Sequence, residues 1–527
     1  MTIAARSGTP PLSRLTTPLM LILLGVAVSA AVRLWFAVMD LATLDRLFLP
    51  DDTYYVLSIA RNIAAGFGPS ADGIELTSGF QPLIALILTP AFLAGGDPDV
   101  PVRIAILTSG IFGALNTGLA GAIVHDLTGR RLAAAFAMAF AATSPVILGN
   151  DMNGMETSLA SFCLLLATLL FARARCDSRP AVFIAAGLAS GLAMLARIDS
   201  CFLVGLLGLW GLGRFGPRQN ALIVGAALAT VAPWWGYSLA TFGGILPESG
   251  AALRQIVEFH RELHLSAGAA LRGGADAVSF LGVPATRVQG AAVLAVLAFC
   301  ASDNLVRAAV LRRVDAATVL IVAGLALFLF YTLYLPANWF FERYFNLVYL
   351  SLVVAAAVSG AEFLQRAGSR LVGPRWLPPA IAAAALTLNV AGLAGLEQRA
   401  EAGGFARFSG VTGYRQVAQE IMARLPEAAV VGAMQSGALA YYARPDVTVV
   451  NLDGVVSARA RRAIAAARLG ELVTGRGVDH FADWTLNLRM LARFWGPGWD
   501  IERLGLMAVL PPQSTHSFHL YRLSPGG

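Results

Sequence analysis

The chain has 527 residues, 57% of them hydrophobic and 13% charged, with a formal net charge of +7 and a mean hydropathy of +0.66. Those values exclude an ordinary soluble domain and mark a polytopic membrane protein. No lysine is present, and the arginines are dispersed in short loops between apolar runs, a pattern that serves membrane orientation and not a nucleic-acid surface.

In chain order, the first apolar run, 18–36, reads as an uncleaved anchor. Val28-Ser29-Ala30 imitates a cleavage site, but the run continues through Trp35 and Phe36. The next stretch changes character at once with Asp51 and Asp52. Tyr54, Tyr55, Ile59 and Ile63 then recur at helical spacing with Arg61 and Asn62 opposite, which predicts an amphipathic helix lying on the bilayer surface. A turn-rich segment from Gly66 to Gly79 follows, and the apolar run 82–94 is short enough to be a re-entrant or surface helix. Further runs at 102–125, 132–150, 157–174, 180–196, 200–213, 219–240, 288–306, 316–336, 346–364 and 377–396 bring the expected spans to eleven.

Arg6 and Arg14, Arg130 and Arg131, Arg173 with Arg175 and Arg179, Arg214 and Arg218, Arg307 with Arg312 and Arg313, and Arg366 with Arg370 and Arg375 mark every second loop. By the positive-inside rule those loops are cytoplasmic, the amino terminus is inside and everything after about residue 397 is outside. The unusual polar clusters then fall on one face: Asp51 and Asp52, 151–157, 197–200, 233–250 and 338–346. Polar groups at membrane depth are costly, so those retained tend to mark sites.

After the membrane part, 1–396, residues 397–527 read as a small extracytoplasmic α/β domain. Strands are expected at 429–432, 447–452, 506–510 and 518–523, with helices at 436–442 and 458–469. Gly432, Gly437 and Gly454 do not form a dinucleotide fingerprint, which leaves docking or acceptor binding as the domain's role.

Several side chains carry a chemical reading beside a plain structural one. Asp51 and Asp52 suit a helix N-terminus, where acids cap free amides, but one of them also suits a general base while its neighbour orients substrate or holds a metal. Glu156 begins an apolar run and sits close to the hydrocarbon, whereas Asp151 reads as a helix-end acid. Arg197 and Asp199 can pair with each other, yet Arg197 and Arg343, both at outer span ends, offer planar forks that suit a phosphate. Arg33 reads as a snorkelling residue. Trp234 and Trp235 belong to an aromatic belt, and Glu248 is placed to bind a polar acceptor. His125, His260, His264 and His480 lack metal-site spacing, and Cys163, Cys176, Cys201 and Cys300 form no disulfide framework.

The motifs DDTYYVLSIARNIAAGFG with TSGFQPL, NGMET, LARIDS, PWWGYSLATFGGILPESG, ERYF and VNLDG, in that order, resemble the GT-C glycosyltransferases. That superfamily includes the lipid A aminoarabinose transferases, protein O-mannosyltransferases and arabinofuranosyltransferases. The resemblance covers most of the chain and implies a GT-C-like membrane domain. It also implies inverting transfer of a sugar from a polyprenyl-phosphate donor to a glycan, lipid or protein acceptor at the outer face of a bacterial cytoplasmic membrane. The family's first-loop acid falls on Asp51 or on Asp52, depending on which relatives are matched, and Arg197-Ile198-Asp199 stands where relatives often carry Arg-Pro-Asp. Tyr55, Glu156, Asp199, Glu248 and Tyr344 are read as substrate-binding, and Arg197 and Arg343 as phosphate-binding. No metal is expected to be obligatory, with a divalent cation as the alternative. The rival from another class is a transporter or flippase of lipid-linked sugars, which would favour internal repeats and broken helices at the midplane.

Overall fold

A computed structural model describes residues 12–174, 179–264, 287–311, 314–335, 342–367, 377–401, 413–496, 504–510 and 518–523. Arg6, Arg175, Arg312, Arg313, Arg370 and Arg375 of the loop pattern, Cys176, and 338–341 of the outer cluster lie outside the described residues. Each of the eleven apolar runs is mainly helical over its described residues. Among the described residues, five helices are long and apolar enough to cross a membrane by themselves, fewer than the eleven spans expected: Pro18–Ala37, Asp99–Thr128, Thr157–Ala174, Pro217–Phe242 and Arg343–Gln365.

The run 132–150 is not one straight helix as expected. Arg131–Thr143 and Pro145–Asp151 are bent by 65° at Ser144. Pro145 has no amide to donate and its ring holds Ser144 in an extended conformation (φ −69°, ψ 119°), so the ladder breaks there. Helix Pro180–Ala196 packs closely on Pro217–Phe242 through Gly187 and Gly191. A Cβ on Gly187 would collide with the Ile223 carbonyl, and one on Gly191 would lie 2.8 Å from the Ala227 carbonyl, the small-residue seam that lets two membrane helices touch backbones. Pro82–Leu88 and the 3₁₀ turn Thr89–Phe92 form a short helical segment.

The carboxy-terminal unit is built on five strands: β1 (Val430–Ala433), β2 (Thr448–Asn451), β3 (His480–Trp484), β4 (Leu504–Leu510) and β5 (Phe518–Leu523). Their order is β2-β1-β3-β5-β4. The first three are parallel, with Val431 of β1 opposite Val449 of β2 and His480 of β3, and β5 and β4 are antiparallel. Sequence reading misses β3, because His480 and Asp483 break its apolar run. Both residues are nonetheless buried, since the strand is central and covered on two faces.

Helix Asp51–Ala64 forms where expected, but it does not lie free on a bilayer surface. It is buried between the membrane helices and the carboxy-terminal unit, so Tyr54 is 0% and Tyr55 5% exposed. Its polar face meets protein instead of water: Arg61 donates to the Tyr441 carbonyl (2.9 Å), and Asn62 to the Ser70 carbonyl (2.8 Å). The seat is reinforced by Asp45, which accepts from the Tyr54 hydroxyl (2.6 Å) and the Arg415 amide (2.8 Å). Asp99 adds an ion pair to Arg415 and accepts from the Tyr442 hydroxyl (2.9 Å). Buried and charge-assisted, these bonds hold the two parts in one register.

Candidate active site

Consecutive residues in a helix point about 100° apart, following from 3.6 residues per turn, and the first turn of Asp51–Ala64 uses this to separate two acids. Asp51 is 2% exposed and points into the carboxy-terminal unit. Its two carboxylate oxygens accept the Gly437 and Ala438 amides, each at 2.8 Å, at the start of the short helix Gly437–Tyr441. A Cβ at Gly437 would collide with the Asp51 carbonyl, so the approach needs glycine. Burial pushes the Asp51 carboxyl up to about 8 against the pull of the two amides. Asp52 turns the other way, with 27% of its side chain exposed, and forms an ion pair with Arg343.

Beneath this pair lies a second charged group. Arg197 donates to Glu156 (2.8 Å) and, through Nη2, to Asp199 (2.7 Å), and Asp199 also accepts from the Tyr331 hydroxyl (2.7 Å). The Tyr331 and Tyr344 rings stack at 4.6 Å, and the Arg197 guanidinium lies 4.6 Å from the Tyr344 centroid, within cation–π range. Arg197 is thereby committed to protein carboxylates, and holding a phosphate would require it to leave them. The other oxygen of Glu156, Oε2, is buried without a hydrogen-bond partner among the described residues.

All of these groups line one cavity of about 1380 Å³ between the membrane helices and the carboxy-terminal sheet. Glu248 is on its wall too, within 3.4 Å of Arg461, with its amide donating to Ser78. Tyr55 bridges to the sheet, its hydroxyl donating to the Met434 carbonyl (2.9 Å) and accepting from the Asn451 amide (3.1 Å). Each side chain singled out in the sequence for catalysis, phosphate or substrate therefore reaches the same space. Among the described residues no three His, Cys, Asp or Glu side chains converge as a metal-holding group.

No protein-family model matches the sequence, and no curated protein does. Among solved structures, the crystal structure of ArnT from Cupriavidus metallidurans bound to undecaprenyl phosphate aligns with a TM-score of 0.57 at 15% identity, over 96% of this chain and 98% of that one. The arabinofuranosyltransferase AftD from Mycobacteria, determined by single-particle cryo-electron microscopy, aligns at a TM-score of 0.46 and 13% identity, over 95% of this chain and 41% of its own. The match to ArnT runs through both chains nearly end to end, carboxy-terminal unit included. The chain has the GT-C fold.

Within this GT-C framework two further features escape the sequence reading. Arg33 does not snorkel to an interface: it is 2% exposed and forms an ion pair with Asp151, which is fully buried, while also donating to Ser29. The pair fastens helix Leu12–Ala37 to the broken helix at Asp151, because a buried charge is retained only against a partner. Secondly, Gln435, Asp453 and Asn487 of the carboxy-terminal unit stand on the cavity wall. Asp453 belongs to the VNLDG motif, and burial pushes its carboxyl up to about 7. A polar residue just beyond an apolar strand was the available signal for it.

Proposed function

We propose that this GT-C protein is an inverting glycosyltransferase that moves a sugar from a polyprenyl-phosphate donor to the hydroxyl of an acceptor. The observation that carries the proposal is the Asp52–Arg343 pair, an acid and a cation side by side on the wall of the cavity. In the resting site each neutralises the other. A donor phosphate offers Arg343 a second anion, and as the guanidinium turns to it the Asp52 carboxylate is released to act as base. The acceptor oxygen then attacks the anomeric carbon, its proton passes to Asp52, and the bond from that carbon to the phosphate oxygen breaks. Polyprenyl phosphate leaves with the electron pair, its charge held by Arg343. A single displacement inverts the anomeric carbon. Apolar lining such as Phe202 and Phe330, whose rings are 5.2 Å apart, suits an isoprenoid tail. The unpartnered Glu156 oxygen suits a hydroxyl of the donor sugar.

Purified protein in nanodiscs, given polyprenyl-phosphate sugars, is expected to release free polyprenyl phosphate only when an acceptor hydroxyl is present. Sugar lipid that changes leaflet without cleavage would replace this reading with a flippase. Arg343→Ala should raise the donor KM about tenfold or more, the scale of one lost charge-assisted hydrogen bond, while thermal unfolding changes little. Unchanged KM and turnover would remove Arg343 from the phosphate site. The cation that the leaving group needs is supplied by Arg343, so transfer is expected to persist in excess EDTA, and its loss there would assign a divalent ion to the site.

We further infer that the cavity faces the outside of a bacterial cytoplasmic membrane, on the alternation of arginine loops. Nucleotide sugars are cytoplasmic, so a sugar used on that side arrives on a lipid. In a background lacking the four native cysteines, Ile74→Cys and Glu427→Cys should react with an impermeant thiol reagent added from outside, and Arg130→Cys should not. Labelling of Ile74→Cys and Arg130→Cys from one side would overturn the orientation.

A further inference from the structure

The carboxy-terminal unit does more than cover the site. Because β2, β1 and β3 are parallel, their carboxyl ends share one edge of the sheet. The order β2-β1-β3 means that the chain leaves β1 to one side and returns past it to β3, which opens a crevice between the segments following β1 and β3. Open α/β sheets bind ligands at such an edge. Here the residues just past those ends, Gln435 after β1, Asp453 after β2 and Asn487 after β3, are the ones that line the cavity.

The edge is held rigid from behind. Asp483 is fully buried and accepts from the Met434 and Gln435 amides, from the Trp484 amide (2.8 Å) and from the Asn487 side-chain amide (2.7 Å). One N–H of the Asn487 amide is held by Asp483, which fixes the group and leaves its carbonyl oxygen and second N–H for a ligand. Asp453 gives one oxygen to the Val455 amide (2.7 Å), and among the described residues it has no ion-pair partner. A carboxyl group and two amides that can both donate and accept therefore face the cavity, a set that matches hydroxyls, which also do both. On the neighbouring wall Arg461 is paired with Glu248 and Arg343 with Asp52. Such a wall suits a neutral molecule that brings several hydroxyls, and a serine or threonine of a peptide, or a lipid alcohol, brings one.

We propose that this sheet edge is the acceptor subsite and that it reads a polyhydroxylated glycan end through Gln435, Asp453 and Asn487. The proposal rests on the glycosyltransferase reading for the word acceptor, but glycan binding at the edge is measurable without transfer. Full-length protein in nanodiscs is titrated, by saturation-transfer NMR, with neutral gluco-, manno- and arabino-tetrasaccharides and with a serine/threonine hexapeptide, and in parallel with undecaprenyl phosphate. At least one tetrasaccharide is expected to bind. Asp453→Asn and Asn487→Ala should each weaken it about tenfold, the scale of a hydrogen bond lost to a charged or buried group, with undecaprenyl phosphate affinity unchanged. Gln435→Ala, a partly exposed position, serves if either variant fails to fold. Failure of every tetrasaccharide to bind, preference for the peptide, or binding equal to wild type in all three variants would overturn the subsite. Tetrasaccharide binding that needs Asp453, in protein that ignores undecaprenyl phosphate, would leave the glycan subsite standing and remove the donor.

Discussion

Asp52→Asn is expected to lower sugar transfer by about 10² to 10⁴, the contribution of a positioned general base, while the protein stays folded and binds the polyprenyl-phosphate donor. Asparagine keeps the size of the side chain and a partner for Arg343 but cannot accept the proton that the acceptor hydroxyl must lose. Asp51→Asn should behave differently. Both Asp51 oxygens hold amides of the carboxy-terminal unit, so the asparagine variant turns an NH₂ group toward one amide and leaves that buried donor unpaired, a cost of about 1–3 kcal/mol. The loss should appear as a lower melting temperature and faster proteolysis between the two parts, with a smaller loss of turnover per folded molecule. The reverse ranking, with Asp51→Asn folded and inactive and Asp52→Asn near normal, would move the base to Asp51. Near-normal transfer in both single variants and in the double variant would take the acids out of the mechanism.

The largest effect on stability is expected at Arg197. Arg197→Met leaves Glu156 and Asp199, 3% and 10% exposed, as buried carboxylates without their cation. Breaking a buried pair in this way costs about 3–5 kcal/mol, because the remaining charge has lost its compensation and cannot reach water. Calorimetry in detergent should show the lower transition. Removing the stranded charges as well, in Arg197→Met with Glu156→Gln and Asp199→Asn, should restore most of it. Arg343→Ala, whose partner Asp52 is partly exposed, should cost far less in stability and more in donor affinity. A stable Arg197→Met variant with weak donor binding would return Arg197 to the phosphate, as its position at a span end had suggested.

Much of the site was legible because its chemistry is expensive in a membrane. Asp52, Glu156, Arg197, Asp199, Glu248 and Arg343 stand out against apolar runs, and the arginine pattern gathers them on one face before any contact is known. All of them line the same cavity. What the pattern could not supply was pairing. Arg33 and Asp151 are 118 positions apart, and each alone has an ordinary surface reading. The polar wall of the carboxy-terminal unit was hidden for a related reason: Gln435 and Asp453 in loops and Asn487 in the first turn of helix Thr485–Phe494 are unremarkable until three parallel strands bring their ends to one edge.

The sequence by itself determined the membrane class, the helical character of the eleven apolar runs, the α/β character of the last segment and the set of polar residues that line one cavity. Hydrophobic period, length and charge bias are local quantities, and a bilayer enforces them segment by segment. Both adjacent acids border the cavity, and tertiary structure alone decided which of them is bound to the Gly437 and Ala438 amides and which to Arg343, since a helix turns its neighbours about 100° apart and only the docked carboxy-terminal unit says which direction is buried. It also decided that helix Asp51–Ala64 is sandwiched instead of lying on lipid, and that Arg197 faces carboxylates. Those outcomes depend on contacts between residues far apart in the chain, where desolvation sets the energy of each charge, and no local pattern encodes which partner will be there to offset it.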